Sequence, residues 1–284
     1  MGLGPYALRL APLNPEPFTL NPEPYTVNRI PCTVYRKPYT RCPMKIAVIS
    51  DIHGNMEAFT EVLADIDGCA ADAVVCLGDM VGYGPEPEAV VRTIRDRGIP
   101  TIMGNHEMAL IDRRYLSWFN PAARRSIEMS LAWFSEASLG YIARLKPFLF
   151  KESARFVHGF PPDAVITYLF QVNNQTLRSS LANLRERICF VGHTHQLMLV
   201  AYDGRKTIKT RLDAGVVTLE AGVKYIVNVG SVGQPRDGNH DAKYTLWDTV
   251  AGTIETKFIP YHIARVTNKI IEAGLPPALA ERLW

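Results

Sequence analysis

The chain has 284 residues, 47% hydrophobic and 21% charged, and its 31 basic against 28 acidic side chains leave a net charge of +3. These proportions are those of a globular protein with ample core volume, and the charge excess is too small for a nucleic-acid footprint. No apolar run approaches the roughly 18 residues of a membrane span. Five cysteines without CxxC spacing (Cys32, Cys42, Cys69, Cys76, Cys189) argue against a disulfide framework or a thiolate zinc site, so a reducing, cytoplasmic setting is expected.

Residues 1–43 are rich in proline. Leu13-Asn14-Pro15-Glu16-Pro17-Phe18-Thr19 is followed at once by Leu20-Asn21-Pro22-Glu23-Pro24-Tyr25-Thr26, and two degenerate copies run from Val27 to Thr40. Proline in every repeat forbids a continuous helix, so an extended, solvated segment without fixed structure is expected. Its basic residues after Glu23 admit an organelle-targeting reading, but it lacks the apolar core of a secretory signal. The folded domain is expected to begin near Met44 and to run as one unit to residue 284.

From there the chain alternates. Lys45–Ser50 is a short β-branched run and reads as a buried strand, followed by a loop and a helix over Met56–Ile66 with Met56, Phe59, Leu63 and Ile66 on one face. Ala73–Leu77 reads as a second strand, Pro87–Asp96 as a helix stopped by Gly98, and Ile99–Met103 as a third strand. This order predicts a layered α/β domain with a largely parallel first sheet. Residues 107–146 read as a helical insert with bulky aromatics. Strands are then expected at Ala154–Val157, Ile188–Val191, Leu197–Tyr202, Lys206–Leu212, Tyr225–Val229, Tyr244–Asp248 and Ile254–Ile259, with a hairpin at Asp203-Gly204 and a terminal helical segment over Ile263–Trp284. Two facing sheets with helices outside account for the pattern.

Five of these strands end in ligand-type residues: Asp51 and His53, Asp79, Asn105 and His106, His158, then His193 and His195. Ligands gather at the carboxyl ends of strands in α/β sheets, and the neighbouring glycines are expected to admit close backbone approach. The donors are oxygen and nitrogen without sulfur, which suits Mn, Fe or Zn, and there are more of them than one ion needs. Two ions about 3.5–4 Å apart can grip both oxygens of a phosphoryl displacement. Asp51/His53 and His193/His195 are i, i+2 pairs, which project the same way from extended backbone. Asp79, between them in sequence, is the candidate bridge. Singly, each of these residues is as consistent with a turn or a satisfied polar group.

Together, Asp51-Ile52-His53-Gly54-Asn55, Gly78-Asp79, Gly104-Asn105-His106-Glu107, His158-Gly159 and Gly192-His193-Thr194-His195 resemble the calcineurin-like metallophosphoesterase superfamily over about residues 45–262. The resemblance implies a four-layer α/β/β/α sandwich, two mixed sheets flanked by helices, and a dinuclear site. It implies that Asp51, His53 and His195 bind one divalent or trivalent ion, that Asn105, His158 and His193 bind the other, and that Asp79 bridges them. His106 would act as general acid rather than ligand. A metal-bridging hydroxide would attack a phosphodiester or phosphomonoester.

The branch is read from departures. Phosphoprotein phosphatases carry Asp-Arg-Gly where this chain has Gly82-Tyr83-Gly84, and an arginine where it has Met103; those arginines clamp phosphate. The chain more closely resembles the small bacterial phosphodiesterases and diadenosine-tetraphosphatase-related members. Asn228–Asp237 looks like their terminal motif. In it Gly230 and Gly233 are expected to turn backbone amides toward the site, and Arg236, with Tyr83, is a candidate substrate contact; a structural turn is the alternative. Tyr83, Trp118, Phe119 and Tyr168 are either packing groups or a platform for a nucleobase. A phosphoprotein phosphatase, a dinucleotide polyphosphatase and a catalytically silent scaffold of the same fold are the competing functions. A small phosphorylated substrate is the expected partner, with no nucleic acid and no membrane.

Overall fold

The computed structural model describes residues 44–284. The proline-rich repeats expected over 1–43 lie outside the described residues.

The strands are β1 (Lys45–Ile49), β2 (Ala73–Cys76), β3 (Phe148–Lys151), β4 (Ala154–Val157), β5 (Ile188–Val191), β6 (Leu197–Tyr202), β7 (Thr207–Arg211), β8 (Gly215–Thr218), β9 (Lys224–Val229), β10 (Ala242–Asp248) and β11 (Thr253–Ile259). The helices are α1 (Met56–Gly68), α2 (Pro87–Asp96), α3 (Asn105–Ile111), α4 (Pro121–Ser130), α5 (Glu136–Ile142), α6 (Asn174–Asn183), α7 (Ile263–Glu272) and α8 (Pro277–Glu281). One sheet has the order β2-β1-β10-β11-β8 and the other β3-β4-β5-β9-β6-β7.

Strand alternation builds the layers. Along β1, Ile46 and Val48 join Val75, Phe156, Phe190, Val227 and Trp247 in a core drawn from both sheets. Ala47 and Ile49 point the other way, into a cluster with Phe59, Val62, Val90 and Ile94 of α1 and α2. On the second sheet Cys189, Val191 and Ile226 pack against Leu177 and Leu181 of α6. A period of two within each strand thus gives two outer helical layers and one inter-sheet core. No helix among the described residues is long and apolar enough to cross a membrane.

Three expectations fail locally. The first sheet is mixed rather than largely parallel: β1 pairs parallel only with β2, and antiparallel with β10 from the end of the chain. Residues 99–103 form only single bridges, Thr101 to Cys76 and Ile102 to Lys146, because Pro100 denies the ladder a donor. The 107–146 region is helical, but its first helix begins at Asn105, so two of the expected site residues sit on the first turn of α3.

Candidate metal centre

All the expected ligand residues converge where β1, β2, β4 and β5 end. Asp51, His53, Asp79, Asn105, His158, His193 and His195 are each no more than 9% exposed. Asp51, His53, Asp79, His193 and His195 hold φ between 50° and 66°, the left-handed region that non-glycine residues seldom occupy. The i, i+2 pairs therefore converge through tight turns and not, as the spacing suggested, through extended backbone. Such strain persists only where surrounding bonds enforce it.

Those bonds are visible. Glu107 receives the backbone amides of Asp79 and Gly104 on Oε2, at 2.7 and 3.0 Å, and those of Met80 and Val81 on Oε1, at 2.7 and 3.2 Å. A methyl group on Gly104 would meet Asp79 Oδ1 at 2.2 Å and Glu107 Oε2 at 2.6 Å, so this loop crossing needs glycine. The glycine here serves loop-to-loop approach rather than approach to a ligand. Burial, helped by Asp79, pushes the Glu107 carboxyl up to about 7.

The 228–236 segment ties the two sheets' ligand loops together. Asn228 Nδ2 donates to Gly192 O and Thr194 Oγ1, Ser231 Oγ to Asp51 O, and Gly233 N to Asp51 O. The Gly230 amide donates to Asn228 Oδ1. Neither glycine amide is left to face the site, which corrects the expectation for them.

Three imidazoles are oriented alike. Nδ1 of His53, His158 and His195 donates to the carbonyls of Val81, Leu77 and Gln234 at 2.9, 2.8 and 2.6 Å. A carbonyl only accepts, so each Nδ1 carries the proton and each Nε2 turns inward, the arrangement typical of metal-binding histidines. His193 is reversed: its Nε2 faces Ile166 O at 3.2 Å, leaving Nδ1 toward the centre. Nothing in the sequence marks these carbonyls, since any residue type supplies one.

Nε2 of His53 and of His195 then lie 3.1 Å apart. With both Nδ1 protons committed to carbonyls, two bare lone pairs face each other. Asp51 Oδ1, 3.1 Å from His195 Nε2, is buried without a hydrogen-bond donor. Three inward acceptors demand a cation or an extra proton, so this donor set fits a metal ion. Asp79 Oδ1 accepts from the His106 amide at 2.9 Å, which leaves Oδ2 3.3 Å from His158 Nε2, 3.8 Å from His53 Nε2 and 3.9 Å from His106 Nε2. Groups able to hold an ion are Asp51/His53/His195 and Asp79/His158/His193, with ligand atoms within 4.8 Å of one another; a third, His53/Asp79/His106, includes the residue expected to be an acid. Asn105 Oδ1 stands 3.0 Å from His158 Nε2.

The charges respond to this crowding. Burial pushes His193 down to about 3 and His195 to about 4. Burial likewise opposes a charged His158, but the Asp79 carboxylate overrides it and lifts that imidazole to about 9. Burial works against the charged Asp79 too, yet His158 and His106 hold its carboxyl well below the usual range. Burial holds His106 well below its ordinary value, only partly offset by Asp79.

A cleft of about 420 Å³ opens over Asp79, Asn105, His106, His193 and His195. Tyr83, 7% exposed, also lines it, its ring 4.5 Å from that of His53 and 4.7 Å from that of His106. Arg236 lines it as well, donating from Nη2 to Gln234 Oε1 at 2.7 Å and lying over the Tyr83 ring at 5.6 Å, with a buried Nε that has no acceptor.

The profile of the calcineurin-like phosphoesterase superfamily domain matches residues 44–252. The chain belongs to the calcineurin-like phosphoesterase superfamily. An uncharacterised protein of Methanocaldococcus jannaschii is 34% identical over 245 residues, 84% of this chain and 97% of its own. A metallophosphoesterase from Sphaerobacter thermophilus has a crystal structure similar at TM-score 0.74 and 33% identity, covering 84% of this chain and 98% of that one. A hypothetical protein from Pyrococcus horikoshii OT3 shares the fold, with TM-score 0.70 at 17% identity over 84% of this chain and 97% of that one. A symmetrical bis(5'-nucleosyl)-tetraphosphatase of Delftia acidovorans is 37% identical over 71 residues, 24% of this chain and 25% of its own. Membership of this phosphoesterase superfamily implies a phosphoester hydrolase.

Proposed function

We propose that the protein hydrolyses a small phosphoester, a phosphodiester or phosphomonoester, with two cations of the Mn, Fe or Zn class. Asp51, His53 and His195 would hold one, Asn105, His158 and His193 the other, and Asp79 would be shared. The observation that carries this reading is the pair of bare Nε2 lone pairs of His53 and His195, 3.1 Å apart beside the orphaned Asp51 Oδ1. Such cations, when bound, supply Lewis acidity and acidify a coordinated water.

The chain's own residues do the rest. Backbone carbonyls fix three imidazoles, so little reorganisation accompanies the reaction. The His106 amide holds Asp79 Oδ1 and thereby aims Oδ2 inward. His106 is neutral in the resting site, since burial depresses it. An ester's negative charge alongside favours uptake of a proton from solvent by His106, which then gives it to the departing oxygen. Arg236 presents N–H groups to a non-bridging phosphate oxygen, with Tyr83 packed behind it. The Delftia relative, by name a nucleotide phosphatase, supports a small phosphorylated substrate.

The test is hydrolysis of bis(p-nitrophenyl) phosphate with added Mn²⁺, with metal analysis of the same preparation. Turnover is expected for the wild type. His106→Asn is expected to keep its metal and lose about 10²–10⁴-fold in kcat. Loss of metal in that variant makes His106 a ligand. Inactivity of fully loaded wild type with Mn, Fe and Zn sinks the hydrolase and favours a silent scaffold.

A further inference from the structure

Four aromatic side chains line the cleft, and three are already engaged. Tyr83 packs against His53 and His106, Phe119 meets the His106 ring edge-on at 4.8 Å, and Tyr168 stacks on His193 at 3.9 Å. The fourth, Trp118, is 57% exposed, and its one ring contact among the described residues is a T-shaped one with Tyr115 at 4.8 Å. An indole left half in water at the lip of a cleft forgoes the burial that its large apolar area would gain. Ile166, 42% exposed, lines the same cleft from the loop after β4. The cleft therefore has a floor of ligand-type side chains with the Arg236 guanidinium, and an apolar rim with a half-exposed indole. Its complement is a molecule with a phosphate at one end and a planar apolar group at the other, and about 420 Å³ holds one such unit.

We propose that Trp118 is the stacking wall of a nucleobase subsite, and that the substrate is a mononucleotide ester. This deepens the hydrolase reading and rests on it. Stacking of a base on an aromatic side chain strengthens binding by about 5- to 150-fold and tolerates any base.

The experiment separates the two readings. Calorimetric titration of the Mn²⁺-supplemented full-length protein with AMP and with ribose 5-phosphate, which has a hydroxyl in place of the base, is expected to show AMP bound about tenfold more tightly. Trp118→Ala is expected to bring that ratio near one and Trp118→Phe to keep most of it. With the p-nitrophenyl esters of thymidine 5'-phosphate and of methyl phosphate, the kcat/KM ratio is expected to collapse in Trp118→Ala and survive in Trp118→Phe. Equal wild-type affinities for AMP and ribose 5-phosphate, or a ratio unmoved by Trp118→Ala, overturn the subsite. An AMP preference that depends on Trp118 without hydrolysis of any ester keeps the subsite and sinks the hydrolase; hydrolysis without base preference does the reverse.

Discussion

Four backbone amides converge on the Glu107 carboxylate, and through them it sets the φ of Asp79 and the place of its side chain. Replacing one carboxylate oxygen by an amide NH₂ turns an acceptor into a donor facing two other donors. Glu107→Gln is therefore expected to cost about 2–5 kcal/mol of stability and to lower metal content, because Asp79 Oδ2 loses its aim. Thermal unfolding and metal analysis check this; unchanged metal stoichiometry at a lowered Tm would show that Glu107 supports only the fold. The case marks what a sequence discloses at this scale. The convergence of Asp51, His53, Asp79, Asn105, His158, His193 and His195 was legible because ligand-type residues recur after apolar runs. Glu107 was visible only as the last residue of the Gly104-Asn105-His106-Glu107 motif, and its actual work, gathering amides, depends on a loop path that residue types do not encode. The carbonyls of Leu77, Val81 and Gln234, which set the imidazole tautomers, left no trace at all.

Elements were legible to unequal degrees. β1, α1 and α2 were plain because each carries one unmixed period bounded by caps: Asn55 accepts from the Ala58 amide, and Pro87 opens α2. α6 went unread, since its apolar face reduces to Leu177 and Leu181 amid polar residues, with only Asn173 as cap. The sense of the first sheet was misread because hydrophobic alternation names strands and not their partners. α7 and α8, read from spaced apolar residues, have a position that spacing could not supply. Val266, Ile270, Leu279 and Leu283 share a cluster with Tyr83, and Tyr83 packs on His53 and His106. Lys269 of α7 adds ion pairs to Glu57 at 2.6 Å and Glu86 at 2.8 Å, beside the loops that carry His53 and Tyr83. Leu279→Ala is expected to destabilise by about 2–4 kcal/mol and also to lower kcat/KM at a temperature where the variant stays folded, as Tyr83 relaxes into the cavity. Tm and steady-state kinetics check it, and a lowered Tm with unchanged kcat/KM would reduce the helices to packing alone.

Across the whole molecule, the buried imidazoles couple stability to pH and to metal. In metal-stripped protein His193 and His195 titrate below the value near 6.5 that they would have in the unfolded chain. The unfolded state then binds more protons, so their contribution is intact above about pH 6.5 and is lost as pH falls toward 4 and 3. His158 has the opposite sign. Raised to about 9, it stabilises fully below about pH 6.5 and loses that contribution as pH climbs through 9. Between about pH 7 and 8.5 His158 is thus the group in transition, and one proton over that interval corresponds to about 2 kcal/mol. A cation held there would take the place of that proton against Asp79 and Asn105 and remove the dependence. The Tm of chelator-treated protein is therefore expected to fall over this range while that of Mn²⁺-loaded protein stays level, and scanning calorimetry of both forms at matched ionic strength reads the difference. Parallel pH profiles with and without metal would mean that no cation sits where His158, Asp79 and Asn105 meet.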